Sequence, residues 1–132
     1  MNFMWDAEYS VGIPKFDKAH AKLFDIINDL IAGVRGNFKK EAVEIALAAL
    51  LKYSEEHFAE EEEAMKKANY AGYQEQKEQH ADFIEIVIAL RAKVEAEPDM
   101  VSEALMILLF TWLKEHIRKL DKAYSPYLKG RV

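Results

Sequence analysis

Four histidines, His20, His57, His80 and His116, are the strongest chemical signal in this chain, because each falls on the apolar side of a different helix-like stretch. A single such histidine would be explained as a hydrogen-bonded core residue. Four of them, with Glu61 and Asp121, make a set of imidazole nitrogens and carboxylate oxygens suited to holding a metal. His57 and Glu61 are four residues apart, so on a helix of 3.6 residues per turn they project about 40° from one another. Gln76 and His80 repeat that spacing. A buried carboxylate is costly unless positive charge accompanies it, and a metal supplies that charge. The chain has no Cys, which excludes thiolate zinc sites and iron–sulfur clusters. Nitrogen mixed with oxygen suits iron or manganese and is compatible with zinc. Six or seven donors are too many for one ion, which points to two. Asp121 is the member that spacing leaves open. Lying five residues after His116, it sits about 140° further round an ideal helix. It is equally a ligand at an unwound or tightened helix end or an ordinary surface aspartate.

These side chains need long helices to bring them together. Turn residues punctuate the chain at Gly12 to Pro14, Gly33 and Gly36, Gly72, Pro98, Pro126 and Gly130. Between them the apolar spacing predicts helices over 18–34, 40–67, 73–96 and 100–120, followed by a short segment, 121–132. The inward series are His20, Leu23, Phe24, Ile27, Leu30, Ile31 and Val34; Val43, Leu47, Leu50, Ser54, His57, Glu61 and Ala64; Tyr73, Gln76, His80, Phe83, Val87, Leu90 and Val94; and Val101, Leu105, Leu108, Trp112 and His116. Glu60, Glu62 and Glu63 turn away from the second series, as a solvated face. Connections of a few residues force successive helices to run antiparallel. The expected fold is all-α, an antiparallel up-down-up-down four-helix bundle. His20 comes early and His57 late in their helices, as do His80 and His116, so all four meet at one end. The arm, residues 1–17, carries Phe3, Trp5, Val11 and Ile13, too many apolar groups for a free tail, and is expected to pack along the bundle.

At 132 residues and 51% apolar, the chain can bury one core, and a single domain spanning 1–132 is expected. Its net charge of -5 argues against nucleic acid, whose phosphates draw on clustered Lys and Arg. No stretch reaches the roughly 18 uninterrupted apolar residues of a membrane span, and the first residues, MNFMWDAEYS, lack the basic and apolar regions of a signal peptide. A cytoplasmic protein with no membrane partner is expected.

The whole pattern resembles the hemerythrin family, specifically the bacterial hemerythrins. The resemblance rests on FDKAHAKLF around His20, HFAEE with His57 and Glu61, QKEQH, and TWLKEHIRKLDKAY with His116 and Asp121. It extends to the arm with Trp5 and Val11-Gly12-Ile13 and to the YAGY turn, and so covers the chain nearly end to end. It implies two iron ions joined by the carboxylates of Glu61 and Asp121 and by an oxo or hydroxo bridge from water. One iron would be held by His20 and His57 and keep a position open for dioxygen. Trp112, Leu113 and Ile117 look like the family's apolar lining of that position, although their spacing alone is equally that of core residues. An apolar lining keeps out water and protons.

In one place the chain departs from the family, whose third helix carries His at both ends of the i, i+4 pair. Here the first position is Gln76, which offers only a neutral amide oxygen beside His80 and His116. Gln76 can act as a weak ligand, stand off and leave a second position open for water or substrate, or leave the second iron bound poorly or not at all. The expectation is a retained but altered di-iron site that binds dioxygen, as a carrier, store or sensor module. The alternative is an iron enzyme acting on peroxide, nitric oxide or dioxygen through the extra open position, such as an oxidase or peroxidase. A third reading is a mono-iron or metal-depleted helical domain.

Overall fold

The computed structural model describes residues 4–35 and 37–132, and among these no strand occurs. Helices α1 (Pro14–Val34), α2 (Lys40–Lys67), α3 (Tyr73–Ala96) and α4 (Glu103–His116) form an antiparallel up-down-up-down four-helix bundle. A π-helical turn, Ile117–Asp121, carries α4 on into α5 (Lys122–Leu128).

Helix α1 begins at Pro14, ahead of the Lys18 expected from apolar spacing, because proline suits the first helical turn, where its fixed φ is helical and no N–H is needed. The arm before it is tied down by Asp17, which accepts from the Ser10 hydroxyl at 2.6 Å and the Val11 N–H at 2.8 Å. Gly12, at φ 73°, makes the bend that turns Val11 and Ile13 inward. Trp5 and Tyr9 pack against the main core; Phe3 and Gly36 lie outside the described residues. At its far end α2 closes on Asn69, in the left-handed region at φ 53°. The Tyr70 N–H then reaches back to the Met65 carbonyl at 2.9 Å, capping the last turn.

Two apolar clusters fill the bundle. The larger runs from Leu23 and Phe24 on α1 through Leu47, Leu50, Phe83 and Val87 to Leu113 and Ile117. The smaller joins Val11, Ile13 and Phe16 to Met65, Tyr124 and Leu128. Between them on α1 lies His20, on α2 Glu61, and at the end of the π turn Asp121. A polar layer is therefore enclosed between two dry ones.

Helix α4 departs from the expected register. Leu108, expected inward, is 65% exposed, and Leu105 and Trp112 are only partly buried. Met106, Leu109, Phe110, Leu113 and His116 face inward instead. The run ALMILLF is apolar on every side, so a helical series can be drawn through it in more than one register, and packing against the other helices decides. On α2, Met65 rather than Ala64 is the fully buried residue at the lower end.

Candidate metal centre

Each of the six expected ligands is at most 4% exposed: His20, His57, Glu61, His80, His116 and Asp121. They form two groups, His20 with His57 and Glu61, and His80 with His116 and Asp121, whose ligand atoms lie within 4.8 Å of one another in each. Both carboxylates reach across the two groups. Glu61 Oε2 is 3.4 Å from His20 Nε2, while its Oε1 is 3.2 Å from His57 Nε2 and 3.4 Å from His80 Nε2. Asp121 Oδ2 is 3.1 Å from His20 Nε2 and its Oδ1 is 3.1 Å from His116 Nε2.

The helix end explains how Asp121 gets there. Through Ile117–Asp121 the backbone takes the wider π repeat, with the Lys122 N–H bonding to the Ile117 carbonyl five residues back. The turn unwinds, and a residue at i+5 comes to the side that i+4 would occupy in an α-helix. Gln76 is also buried beside the centre, and its Nε2 donates to Asp121 Oδ1 at 2.9 Å.

Several groups about the centre were not singled out by spacing. The Tyr124 hydroxyl donates to Glu61 Oε2 at 2.5 Å. Phe58 stacks flat on the His80 ring at 3.9 Å between centroids, and Phe16 meets the His57 ring edge-on. Glu62, expected among the solvated acids, bends from the flank of α2 to place Oε2 2.8 Å from His80 Nδ1. Gln79 Oε1 is 2.8 Å from His116 Nδ1. The visible clue to Glu62 and Gln79 is adjacency in sequence to a ligand, which many solvated residues share. Of the three expected pocket residues, Leu113 and Ile117 are buried in the main core, and Trp112 stacks on the His116 ring at 4.9 Å.

Burial would raise the carboxyl pKa of Glu61, but the imidazoles of His57, His20 and His80 overcome it and hold the group well below its usual range. Asp121 is raised by burial and by the charge of Glu61, yet His116 and His20 hold it low. For His20, burial alone would lower the pKa; the carboxylates of Asp121 and Glu61 close beside Nε2 outweigh it and push the imidazole up to about 10. The carboxylates thus demand positive charge, which protons on imidazoles or a metal can provide.

The residues present fit a metal. Among the described residues ten buried side-chain polar atoms have no hydrogen-bond partner, and eight belong to this centre. They are both ring nitrogens of His20 and of His57, Glu61 Oε1, Gln76 Oε1, His80 Nε2 and His116 Nε2. Leaving a buried polar atom unpaired costs about 1–3 kcal/mol, and such atoms are few in native proteins. For six of the eight, all but Nδ1 of His20 and of His57, lone pairs directed at a cation account for this.

The Hemerythrin HHE cation binding domain family matches residues 11–128. Bacteriohemerythrin of Clostridium acetobutylicum is 31% identical over 126 residues, covering 92% of this chain and 98% of that protein. Myohemerythrin of Theromyzon tessulatum is 32% identical over 126 residues, covering 96% of this chain and 93% of that protein. A crystal structure of wild-type hemerythrin aligns with a TM-score of 0.87 at 29% identity, covering 96% of this chain and 98% of that one. The chain belongs to the hemerythrin family, whose members are di-iron proteins that bind dioxygen. No helix among the described residues is long and apolar enough to cross a membrane.

Proposed function

We propose that this chain binds dioxygen at a paired iron centre in which His20 and His57 hold one iron and His80 and His116 the other. Glu61 and Asp121 would be shared between the two, and water would supply an oxo or hydroxo group. The observation that carries this reading is that each carboxylate lies within 3.4 Å of imidazole nitrogens of both groups. Iron bound there supplies the reversible electron transfer that dioxygen binding needs.

The protein's own part is to position donors and to exclude water. Phe58, Leu113 and Ile117, all buried, wall the centre on the side of the main core, and Phe16 and Tyr124 close it on the other. A dry enclosure limits proton delivery to whatever binds inside. Tyr124 and Gln76 donate to Glu61 and Asp121 respectively, so each shared carboxylate is oriented by one neutral donor. Iron content per chain, with the visible spectrum in air and after reduction, tests the proposal. Two irons and an absorption that appears with air and disappears on its removal are expected; one iron or none overturns the reading.

A second reading, an iron enzyme acting on peroxide, nitric oxide or dioxygen, is favoured by the orientation of Gln76. Its amide nitrogen is committed to Asp121, so the half of the centre with His80 and His116 has a position that no imidazole fills. Turnover of peroxide with rapid bleaching, in place of a reversible spectrum, would select this reading.

A further inference from the structure

The two halves of the centre differ in what stands behind their histidines. At the half beside Gln76, His80 Nδ1 faces Glu62 Oε2 and His116 Nδ1 faces Gln79 Oε1, both at 2.8 Å. At the other half, neither His20 Nδ1 nor His57 Nδ1 has a hydrogen-bond partner among the described residues. An ionised carboxylate has no proton to give, so the proton between Glu62 and His80 sits on Nδ1. That leaves the Nε2 lone pair of His80 turned toward Glu61 Oε1, at 3.4 Å, on the inner side of the ring. Gln79 orients His116 in the same sense, but with a neutral amide oxygen. A negative group behind a ligating imidazole makes it a stronger donor, and losing such a partner lowers metal affinity about 10- to 100-fold.

The half that is one imidazole short is therefore the half reinforced from outside. We infer that Glu62 is a positioning residue that offsets the imidazole absent at Gln76, by fixing His80 with Nε2 inward and strengthening it as a donor. The inference rests on the paired-iron reading. Glu62 is placed for this role: it follows Glu61 on α2, lies on the flank facing α3, and keeps 22% of its side chain exposed, so its charge is not itself stranded in the core. Phe58 stacks flat on the His80 ring and fixes the plane in which it lies, and the contact of Nδ1 with Glu62 selects the orientation within that plane.

The test is titration of the metal-stripped full chain with iron(II) against a competing chelator. Wild type and Glu62→Gln are compared, each with and without Gln76→His. Glu62→Gln keeps an acceptor oxygen in place but removes the charge, and circular dichroism checks that the helices remain. The expected result is an unchanged first iron and a second iron held about 10- to 100-fold more weakly in Glu62→Gln. With Gln76→His present, that loss should shrink severalfold, because the second half then has its third imidazole; a residue that merely supports the fold would cost the same in both backgrounds. Equal second-iron affinity in wild type and Glu62→Gln, or an equal loss in both backgrounds, overturns the inference alone. A wild-type chain that takes up only one iron overturns the paired-iron reading and this inference with it.

Discussion

His116 and Asp121 stand five residues apart in sequence, yet Nε2 of one is 3.1 Å from Oδ1 of the other. The π turn between them makes this possible, and a π turn amounts to one residue more than an α-helix needs over the same span. Deleting Lys119, whose side chain is 73% exposed, should let the segment relax to an α-helix. The aspartate would then follow His116 by four residues, about 40° round. Tyr124 and Leu128 would keep their places in the smaller core. We expect the deletion variant to fold with unchanged helicity and to bind metal within about tenfold of wild type, a difference of roughly 1.4 kcal/mol. Metal analysis and circular dichroism of the variant check this, and a folded protein that binds no metal would show that the π geometry itself is required.

Gln76→His should restore an imidazole where the amide now donates to Asp121. Since outer partners of metal ligands are worth about 10- to 100-fold in affinity, an added direct ligand should tighten the second iron by at least about tenfold. It should also lengthen the life of the oxygenated form, because a position otherwise open to water or a second small ligand is filled. Autoxidation followed by visible spectroscopy in the two proteins gives the answer; equal lifetimes would mean that Gln76 already does the work of a ligand.

Much of this was legible in sequence, and what was not has a physical reason. The buried faces of α1 and α3 could be read because apolar and polar residues alternate there at helical spacing, so only one face can be inside. On α4 that contrast is absent, and Leu108 was expected inward although packing leaves it exposed. The four histidines and Glu61 could be read because polar residues on an apolar stripe need a partner. Asp121 was ambiguous because ideal helical geometry is the wrong ruler for a π turn. Glu62 was misplaced because its backbone position is off the inward stripe, while the side chain is long enough to bend back to His80. Tyr124 belongs to a short helix beyond the expected fourth one, and its contact with Glu61 depends on how that last turn folds over the end of the bundle.

Tyr124→Phe removes one hydroxyl and nothing else from the wall between Glu61 and the smaller core. Glu61 Oε2 loses its closest donor in a fully buried setting, so the metal-stripped protein should lose about 1–3 kcal/mol of stability. In the iron-loaded protein the carboxylate has metal as a partner, and the loss should be smaller. Urea denaturation of both forms distinguishes the cases. An equal loss in both would mean that the hydroxyl serves the packing of α5 rather than the charge on Glu61.

Stability of the metal-stripped chain should depend on pH in a way that iron largely abolishes. Buried His20 is pushed from its ordinary 6.5 up to about 10 because the carboxylates of Asp121 and Glu61 beside it outweigh the cost of burial. A group whose pKa is raised on folding stabilises fully below its unfolded value and ceases to do so as pH rises through the folded one. His20 therefore contributes below pH 6.5, and the contribution fades toward pH 10. Glu61 and Asp121 are held below their ordinary 4.5 and 3.8, so they stabilise above those values and stop doing so as pH falls through their folded ones. The stripped protein should be most stable between roughly pH 5 and 6.5, with Tm declining on both sides. Iron takes the place of the protons on the imidazoles, so the loaded protein should lose little between pH 6.5 and 10 and should lose its metal in acid, where protons compete for the same nitrogens. Thermal melts of both forms across this range check the pattern, and a stripped protein whose Tm rises steadily from pH 6 to 10 would show that His20 is neutral in the folded chain.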